Sequence, residues 1–390
     1  MKSKFFMLAI ATGLFLNACT SDDETSTAPA LATGEITGDI TASKSFAKGN
    51  YTLRGIVKIK SGATVTFAAG STITSDVVTG VDALVVENGA KLEMIGTAAE
   101  PIVCTEISKV AGSWGGIIMY GNAPIVGANG VATATSEDGL AMPYGGTDAA
   151  HNGGTIKYVR VEYAGKKITD GTSEMNGFSF YSVGSGTTLE NLVSFNGADD
   201  GFEFYGGTVS LKNSISYANS DDSFDWQDGW RGENSTNWFA YQVGIGNFGI
   251  EAEARSVNNT FFPKVSNITL RRAAGTVTEG GSSAAEFDAI QFKRQGNGEY
   301  TNIVISGYTT AGAVAVRIQD AATNTDQVNG NKIKLFNVKI GDSTPQWGGV
   351  PTITVAFPAA NYTLSNTATG ATLTAGAWAT ANGLNLLANQ

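Results

Sequence analysis

The 390-residue sequence implies an all-β chain wound as a solenoid, a parallel β-helix with rungs of about 22–26 residues. Three features carry this reading. Ala198-Asp199-Asp200-Gly201-Phe202-Glu203-Phe204 reappears 22 residues on as Ser220-Asp221-Asp222-Ser223-Phe224-Asp225-Trp226. Asn191-Leu192-Val193-Ser194-Phe195 reappears at the same offset as Asn213-Ser214-Ile215-Ser216-Tyr217. A shared period of this length marks one solenoid rung. Asn also heads similar strand segments at Asn191, Asn213, Asn267, Asn302 and Asn337. Stacked at a turn, such side chains can hydrogen-bond up a ladder and satisfy buried amides. Finally, apolar–polar–apolar triplets recur around Ser179, Glu203, Asp225, Glu251, Gln291 and Arg317. Strand alternation turns the flanking residues inward and these six outward, as one column. Its steps are 24, 22, 26, 40 and 26 residues, so one rung carries an insertion, expected to include Arg271-Arg272 to Ser283.

The chain opens on a targeting segment, residues 1–18. Lys2 and Lys4 precede the apolar run Phe5 to Leu16, too short to span a bilayer as a helix. Leu16-Asn17-Ala18-Cys19 looks like a bacterial lipobox. That resemblance implies cleavage before Cys19 and lipidation of its sulfur, with about 0.8 kcal/mol of membrane affinity per buried CH₂. An ordinary secretory signal with an incidental Cys is the alternative. Ser21-Asp22-Asp23-Glu24 resembles the surface-export signal of Bacteroidota lipoproteins; as a plain solvated linker it belongs to a flexible tether over residues 19–33.

From residue 34 to the end the pattern is short β runs separated by Gly, Asn or Asp, as at Tyr51 to Ile59, Ala63 to Phe67 and Ala83 to Val86. Alone, that spacing suits a sandwich as well as a β-helix; the repeats decide for the β-helix. A long loop between Pro124 and Gly154 holds the sole histidine, His151. Residues 341–390 lose the repeat and are expected to cap an otherwise unpaired strand edge.

Composition narrows the function. Charged residues are 15% and the formal net charge is −10, which argues against nucleic acid and acidic lipid headgroups as partners. The second Cys, Cys104, sits in an apolar run and reads as a small buried hydrophobe. With Cys19 acylated, no intramolecular disulfide and no Cys-based zinc site remain.

Trp114-Gly115-Gly116-Ile117, Lys157 to Gly165 and Ala198 to Thr208 resemble the right-handed parallel β-helix lipoproteins of Bacteroidota, with a pectin-lyase-like fold, over about residues 50–340. The Asp-Asp-Gly-Phe-Glu segment at Asp199–Glu203 is the most specific part. The resemblance implies a right-handed solenoid on the outer membrane and supplies no activity.

The repeat also stacks acids. Asp199 lies over Asp221, Asp200 over Asp222, and Glu203 over Asp225. Bare carboxylates on strands ~4.8 Å apart repel by roughly 3 kcal/mol at an effective dielectric of about 20. The three pairs must splay into water, be protonated, or be bridged by a cation. Calcium is the expected cation, since it takes carboxylate and backbone oxygens together. These six residues are the metal candidates, with Glu251 and Glu253 beside them. Glu251 is also a ligand-binding candidate, with Trp230, Arg231 and Trp238, whose rings and guanidinium fall in a polar loop and could stack on sugars. If the chain is an enzyme, Asp199, Asp200, Asp221 and Asp222 are the catalytic candidates, with Arg231, Lys293 and Arg294 as bases. Against this, the Gly-His-Gly segment of the fold's hydrolases is missing.

The leading expectation is a lipid-anchored, surface-exposed binding or adhesion module for polysaccharide, stabilised by a cation. A polysaccharide lyase or hydrolase is the rival. An accessory subunit of an outer-membrane protein complex is the third reading.

Overall fold

Every ladder in the two large sheets is parallel, each strand pairing with the equivalent strand of the next rung. The computed structural model describes residues 31–76, 80–168, 173–257, 262–279 and 286–390. The targeting segment, Cys19, most of the tether and residues 280–283 of the expected insertion lie outside the described residues. No described helix is long and apolar enough to cross a membrane.

Among the described residues, the rungs build a ten-stranded narrow sheet and a fifteen-stranded broad sheet; from Gly154–Glu162 onward each rung gives the broad sheet a single strand, and the earlier rungs give it two short ones, as Lys91–Ile95 and Ile102–Glu106. The narrow sheet includes Phe178–Tyr181, Phe202–Tyr205, Phe224–Gln227, Ile250–Ala252, Ile290–Phe292 and Val316–Ile318, in that order. The expected column follows the register rung by rung: Ser179, Glu203, Asp225, Glu251, Gln291, Arg317. The coil is a right-handed parallel β-helix, the hand that parallel crossovers adopt almost without exception.

The broad sheet bends once per rung, at a residue in the left-handed conformation. Tyr158 (φ 51°) begins this corner, and Asn191, Asn213, Asn237, Asn267, Asn302 and Asn337 continue it at φ 56–59°. Asn tolerates this conformation, which costs most L-residues roughly 1–2 kcal/mol. The amides also pair along the stack. Asn237 donates to Asn213 at 2.9 Å, Asn302 to Asn267 at 2.7 Å and Asn337 to Asn302 at 3.4 Å. Asn267 turns instead to Thr236 Oγ1 at 3.0 Å. The five predicted asparagines all lie on this corner. Asn237, followed by Trp238 rather than by an aliphatic residue, is a sixth that the pattern missed. Most of the amides are half-buried at the corner rather than sealed inside.

The interior is a column of stacked rings. Phe178, Phe202 and Phe224 follow one another at 5.1 and 5.4 Å, and Phe180 sits 5.1 Å from Phe204. Such pairs add about 0.5–1.5 kcal/mol each beyond area burial. Cys104 is buried as expected, and burial pushes its thiol above the usual range.

Two expectations are corrected. Arg271 and Arg272 belong to the regular strand Lys264–Arg272, where Arg271 lies in register between Tyr241 and Ser306. Arg272 turns inward, donating to Asn247 O at 2.9 Å. The extra chain therefore begins after them. The last fifty residues do more than close an end. Gly348–Gly349 and Tyr362–Leu364 extend both sheets by another rung, where Trp347, Phe357 and Tyr362 pack together. The remainder then runs back along the flank of the broad sheet. Asn302 accepts from Thr369 N at 2.8 Å, Thr269 Oγ1 from Ala371 N at 2.9 Å, and Arg160 donates to Ala377 O at 3.1 Å. Trp378 and Leu386 cover an outer stripe of Tyr163, Val193, Phe195, Ile215 and Phe239.

Candidate functional site

On the narrow sheet, the turns entering Phe202–Tyr205 and Phe224–Gln227 carry the Asp-Asp doublets. Gly177 N donates to Asp200 O and Gly201 N to Asp222 O, both at 2.9 Å, so successive turns stack as the strands do. Asp222 N donates to Asp200 Oδ1 at 2.8 Å, and Phe248 N to Asp222 Oδ1 at 2.6 Å. Each doublet thus caps the turn of the next rung while its remaining oxygens face a cleft. Three acidic columns result: Asp199 over Asp221, Asp200 over Asp222, and Glu203 over Asp225 over Glu251.

These columns form the floor and one wall of a cleft of about 640 Å³. Twelve carboxyl groups and three cationic side chains line it. Burial keeps four of the six stacked acids from splaying into water, while Asp221 and Asp225 are half-buried. Asp199 is 2% exposed, Asp222 4%, and Asp200 and Glu203 6% each. Protonation or a bridging cation remain. Burial pushes Asp199, Asp200, Glu203, Asp222 and Asp225 well above the usual carboxylate range, and the neighbouring acids push the same way. Asp221 is pushed up to about 7 by burial, then by Glu279 and Glu251, against a hydrogen bond from Asn247.

Partners reach only part of this charge. Asn176 donates to Glu203 at 2.6 Å, and Tyr205 donates to the same carboxylate. Lys293 pairs with Glu251 and, at 3.0 Å, with Glu253; Arg294 reaches Glu253 at 3.2 Å. Burial works against the Lys293 ammonium, but these acids outweigh it and hold its pKa above the lysine range. Asp199 Oδ2 and Asp225 Oδ1 are buried with no hydrogen-bond partner. Unpaired buried carboxylate oxygens are costly, so their presence in pairs points to a missing positive charge. Carboxylate groups gather within 4.8 Å in four overlapping sets, including Asp200/Glu203/Asp225 and Asp222/Asp225/Glu251. Among the described residues no Cys or His lines the cleft. An all-oxygen donor set suits a hard cation such as calcium.

The six metal candidates, Glu251 and Glu253 therefore come together, as do Lys293 and Arg294. The tryptophan candidates do not. Trp230 and Trp238 are both 0% exposed. Trp230 stacks on Phe204 at 4.5 Å and donates to Val209 O; Trp238 stacks on Phe224 at 4.5 Å and donates to Leu211 O. Trp230 fills the solenoid where the turn after Gln227 folds inward, and Trp238 points inward from the regular strand Ser235–Gln242 rather than from a loop, so neither ring can stack on sugars. Arg231 follows Trp230 away from the cleft, with its N–H on Gly207 O. His151 is buried apart from the cleft, as the sequence suggested.

Several lining residues escaped the sequence reading. Gln227 holds the Tyr205 position one rung later and donates to Glu137 at 3.0 Å, so the repeat could have found it. Glu137 comes from the long loop. That loop is pinned over the narrow sheet by Tyr120 on Asp138, by Tyr144 on Asp228, and by packing of Ile125 and Tyr144 on Tyr181 and Tyr205. Arg255 joins the same corner, 3.8 Å from Asp228 and 3.5 Å from Glu253. Asn176 holds the Asp200 position one rung earlier and Asn247 stacks on Asp221, so the repeat could have found both, whereas Glu174, Glu279 and Glu286 lie on turns outside the repeat.

Residues 34–382 match the pectate-lyase-like β-helix domain. The chain belongs to that family. No curated protein matches the sequence. Among solved structures, this β-helix is similar to the A-module of mannuronan C-5 epimerase AlgE6 from Azotobacter vinelandii, at 15% identity and a TM-score of 0.35, covering 79% of this chain and 78% of that one. It is also similar to the surface protein and adhesin PfbA of Streptococcus pneumoniae, at 12% identity and a TM-score of 0.27, covering 79% and 91%. Likenesses this distant, between an epimerase and an adhesin, transfer no activity.

Proposed function

We propose that this β-helix domain is a non-catalytic binding module whose cleft takes up calcium and, loaded with it, holds polysaccharide at the cell surface. The observation that carries the reading is the set of buried Asp200 and Glu203 with half-buried Asp225, stacked on adjacent rungs, with the buried Asp225 Oδ1 left without a partner. A divalent cation there removes the repulsion and supplies a positive centre for sugar oxygens. Lys293, Arg294, Gln227 and Asn247 offer further polar contacts along the cleft. Because the tryptophan rings are buried, recognition rests on charge and hydrogen bonds rather than on stacking, which favours anionic glycans. Lipidation at Cys19 places the module on the outer membrane in this reading.

The test is a glycan array probed with the purified protein in calcium and in chelator. Calcium-dependent retention of acidic polysaccharides is expected; binding indifferent to chelator, or none to any glycan, sinks the proposal. One observation favours an enzymatic reading as well. Asp221, pushed up to about 7, exchanges a proton near neutral pH, as a general acid or base must. A polysaccharide degradation screen across pH decides between them, since the binding module yields no product.

A further inference from the structure

The doublets do not point at one place. The second Asp of the first doublet groups with the strand acids, as Asp200/Glu203/Asp225. The first Asp of each doublet groups the other way, as Glu174/Asp199/Asp221, again with ligand oxygens within 4.8 Å of one another. The two triads share no residue, although Asp221 of the outer one also groups with Asp200 and Asp222 between them. Asp199 is 2% exposed, and its Oδ2, buried in the cleft wall, has no hydrogen-bond partner. Asp199 is in the outer triad and not in the inner one, so a cation held by Asp200, Glu203 and Asp225 leaves its carboxylate without a partner for that oxygen.

We infer that the cleft holds two cations at once, and that Glu174, Asp199 and Asp221 form a second, outer calcium site distinct from the floor site. The inference rests on the calcium reading above and extends it. The structure also contains a competitor for the outer site. Lys167 Nζ lies 3.2 Å from Glu174 and 2.6 Å from Glu279, so an ammonium already neutralises one edge of the triad. Binding an ion between Glu174, Asp199 and Asp221 sets the Glu174 carboxylate between two positive charges and draws it off Lys167. The outer site is therefore the weaker of the two, and removing the Lys167 charge strengthens it. Glu174 enters from the turn before Phe178–Tyr181, whereas Asp199 and Asp221 enter from the two turns that follow. The outer ion ties together three successive rungs through side chains that make no other bridge among themselves.

The experiment is calorimetric titration of the chelator-treated protein with calcium chloride at pH 7.5. Two ions per chain are expected, the weaker one lost in Glu174→Gln/Asp199→Asn and the tighter one in Asp200→Asn/Asp225→Asn. Lys167→Met should tighten the weaker event by roughly tenfold, the size of a single lost charge contact of about 1.4 kcal/mol. No calcium binding in the wild type overturns both this inference and the function proposed above. One ion per chain overturns the outer site and leaves that function standing. Two ions that both survive Glu174→Gln/Asp199→Asn overturn the assignment of ligands. Circular dichroism confirms that each double variant is folded, and the single variant Glu174→Gln, at the half-buried end of the triad, repeats the test if a double variant is not.

Discussion

Two ladders run along this solenoid, one of amides at the corner of the broad sheet and one of carboxylates on the narrow sheet. Both repeat one residue type rung after rung, and they have opposite physics. An amide carries a donor and an acceptor, so a copy stacked on a copy makes a bond, as Asn302 does on Asn267 at 2.7 Å. A carboxylate only accepts, so a copy on a copy repels. The amide ladder satisfies itself in part, by bonds along the stack, and leaves only neutral oxygens on Asn191 and Asn237 unpartnered. The carboxylate ladder makes no such bonds between its side chains, and it leaves carboxylate oxygens on Asp199 and Asp225 unpartnered, which cost more to bury.

The sharpest way to break that contrast is in the amide ladder. Asn302→Ala removes the bonds to Asn267 and Thr369 and forces Ala to φ 59°. A loss of about 3 kcal/mol is expected from one strained residue and the deleted hydrogen bonds. It should lower the melting temperature by roughly 4–5 °C, equally in calcium and in chelator. A smaller drop in one condition only would tie the corner to the cleft and dissolve the distinction.

The reciprocal change comes next. Asp200→Asn/Asp222→Asn makes the acidic stack resemble the amide one. In chelator the melting temperature should rise by about 4 °C as repulsion is relieved, and the stabilisation by calcium should shrink or vanish. A destabilised double variant in chelator would mean that the carboxylates hold the fold as they stand.

Proton linkage gives a third, smaller effect. Asp221, pushed up to about 7, binds its proton more tightly folded than unfolded, so the folded state holds an extra proton between about pH 4 and 7, and Asp200 and Asp222 shift in the same direction. The stabilising effect of Asp221 is full below about pH 4 and is lost as pH rises through about 7. Without metal, the melting temperature should therefore fall by a few degrees over that window. With saturating calcium, whose ligands must be deprotonated, the fall should flatten or reverse. The smallest effect is expected at Arg231. Arg231→Ala should leave calcium binding unchanged within about twofold, because the side chain lies off the cleft; a clear loss of affinity would restore it as a site residue.

The same contrast explains what was legible in the sequence. Stacked residues advertise themselves at a fixed offset, which is why the column from Ser179 to Arg317 and the acid pairs emerge in their true register. Burial was not legible. Trp230 follows Gln227-Asp228-Gly229, a polar stretch, yet the turn swings its ring onto Phe204. Strand alternation says which way a side chain leaves the backbone and nothing about what later folds over it. The acids point out of the solenoid and are still buried, because the loop bearing Glu137 and the turns bearing Glu174 and Asn247 close around them. Glu137 and Glu174 come from chain outside the repeat, where no period exists to read, and Asn247 stacks on Asp221 with a different residue type that hides the match.

The tail that returns along the broad sheet changes how such a molecule comes apart. Rungs that touch only their neighbours can fray from either end, one at a time. Here residues 369–386 lash the Asn302 rung to the Arg160 rung, with Arg160 bonded to a carbonyl 217 positions away. Peeling the last rungs must first strip Trp378 and Leu386 from their apolar stripe. The tail thus converts a row of separable units into one cooperative block, whose lifetime against proteases and mechanical load is set by the rate at which a single C-terminal strap lets go.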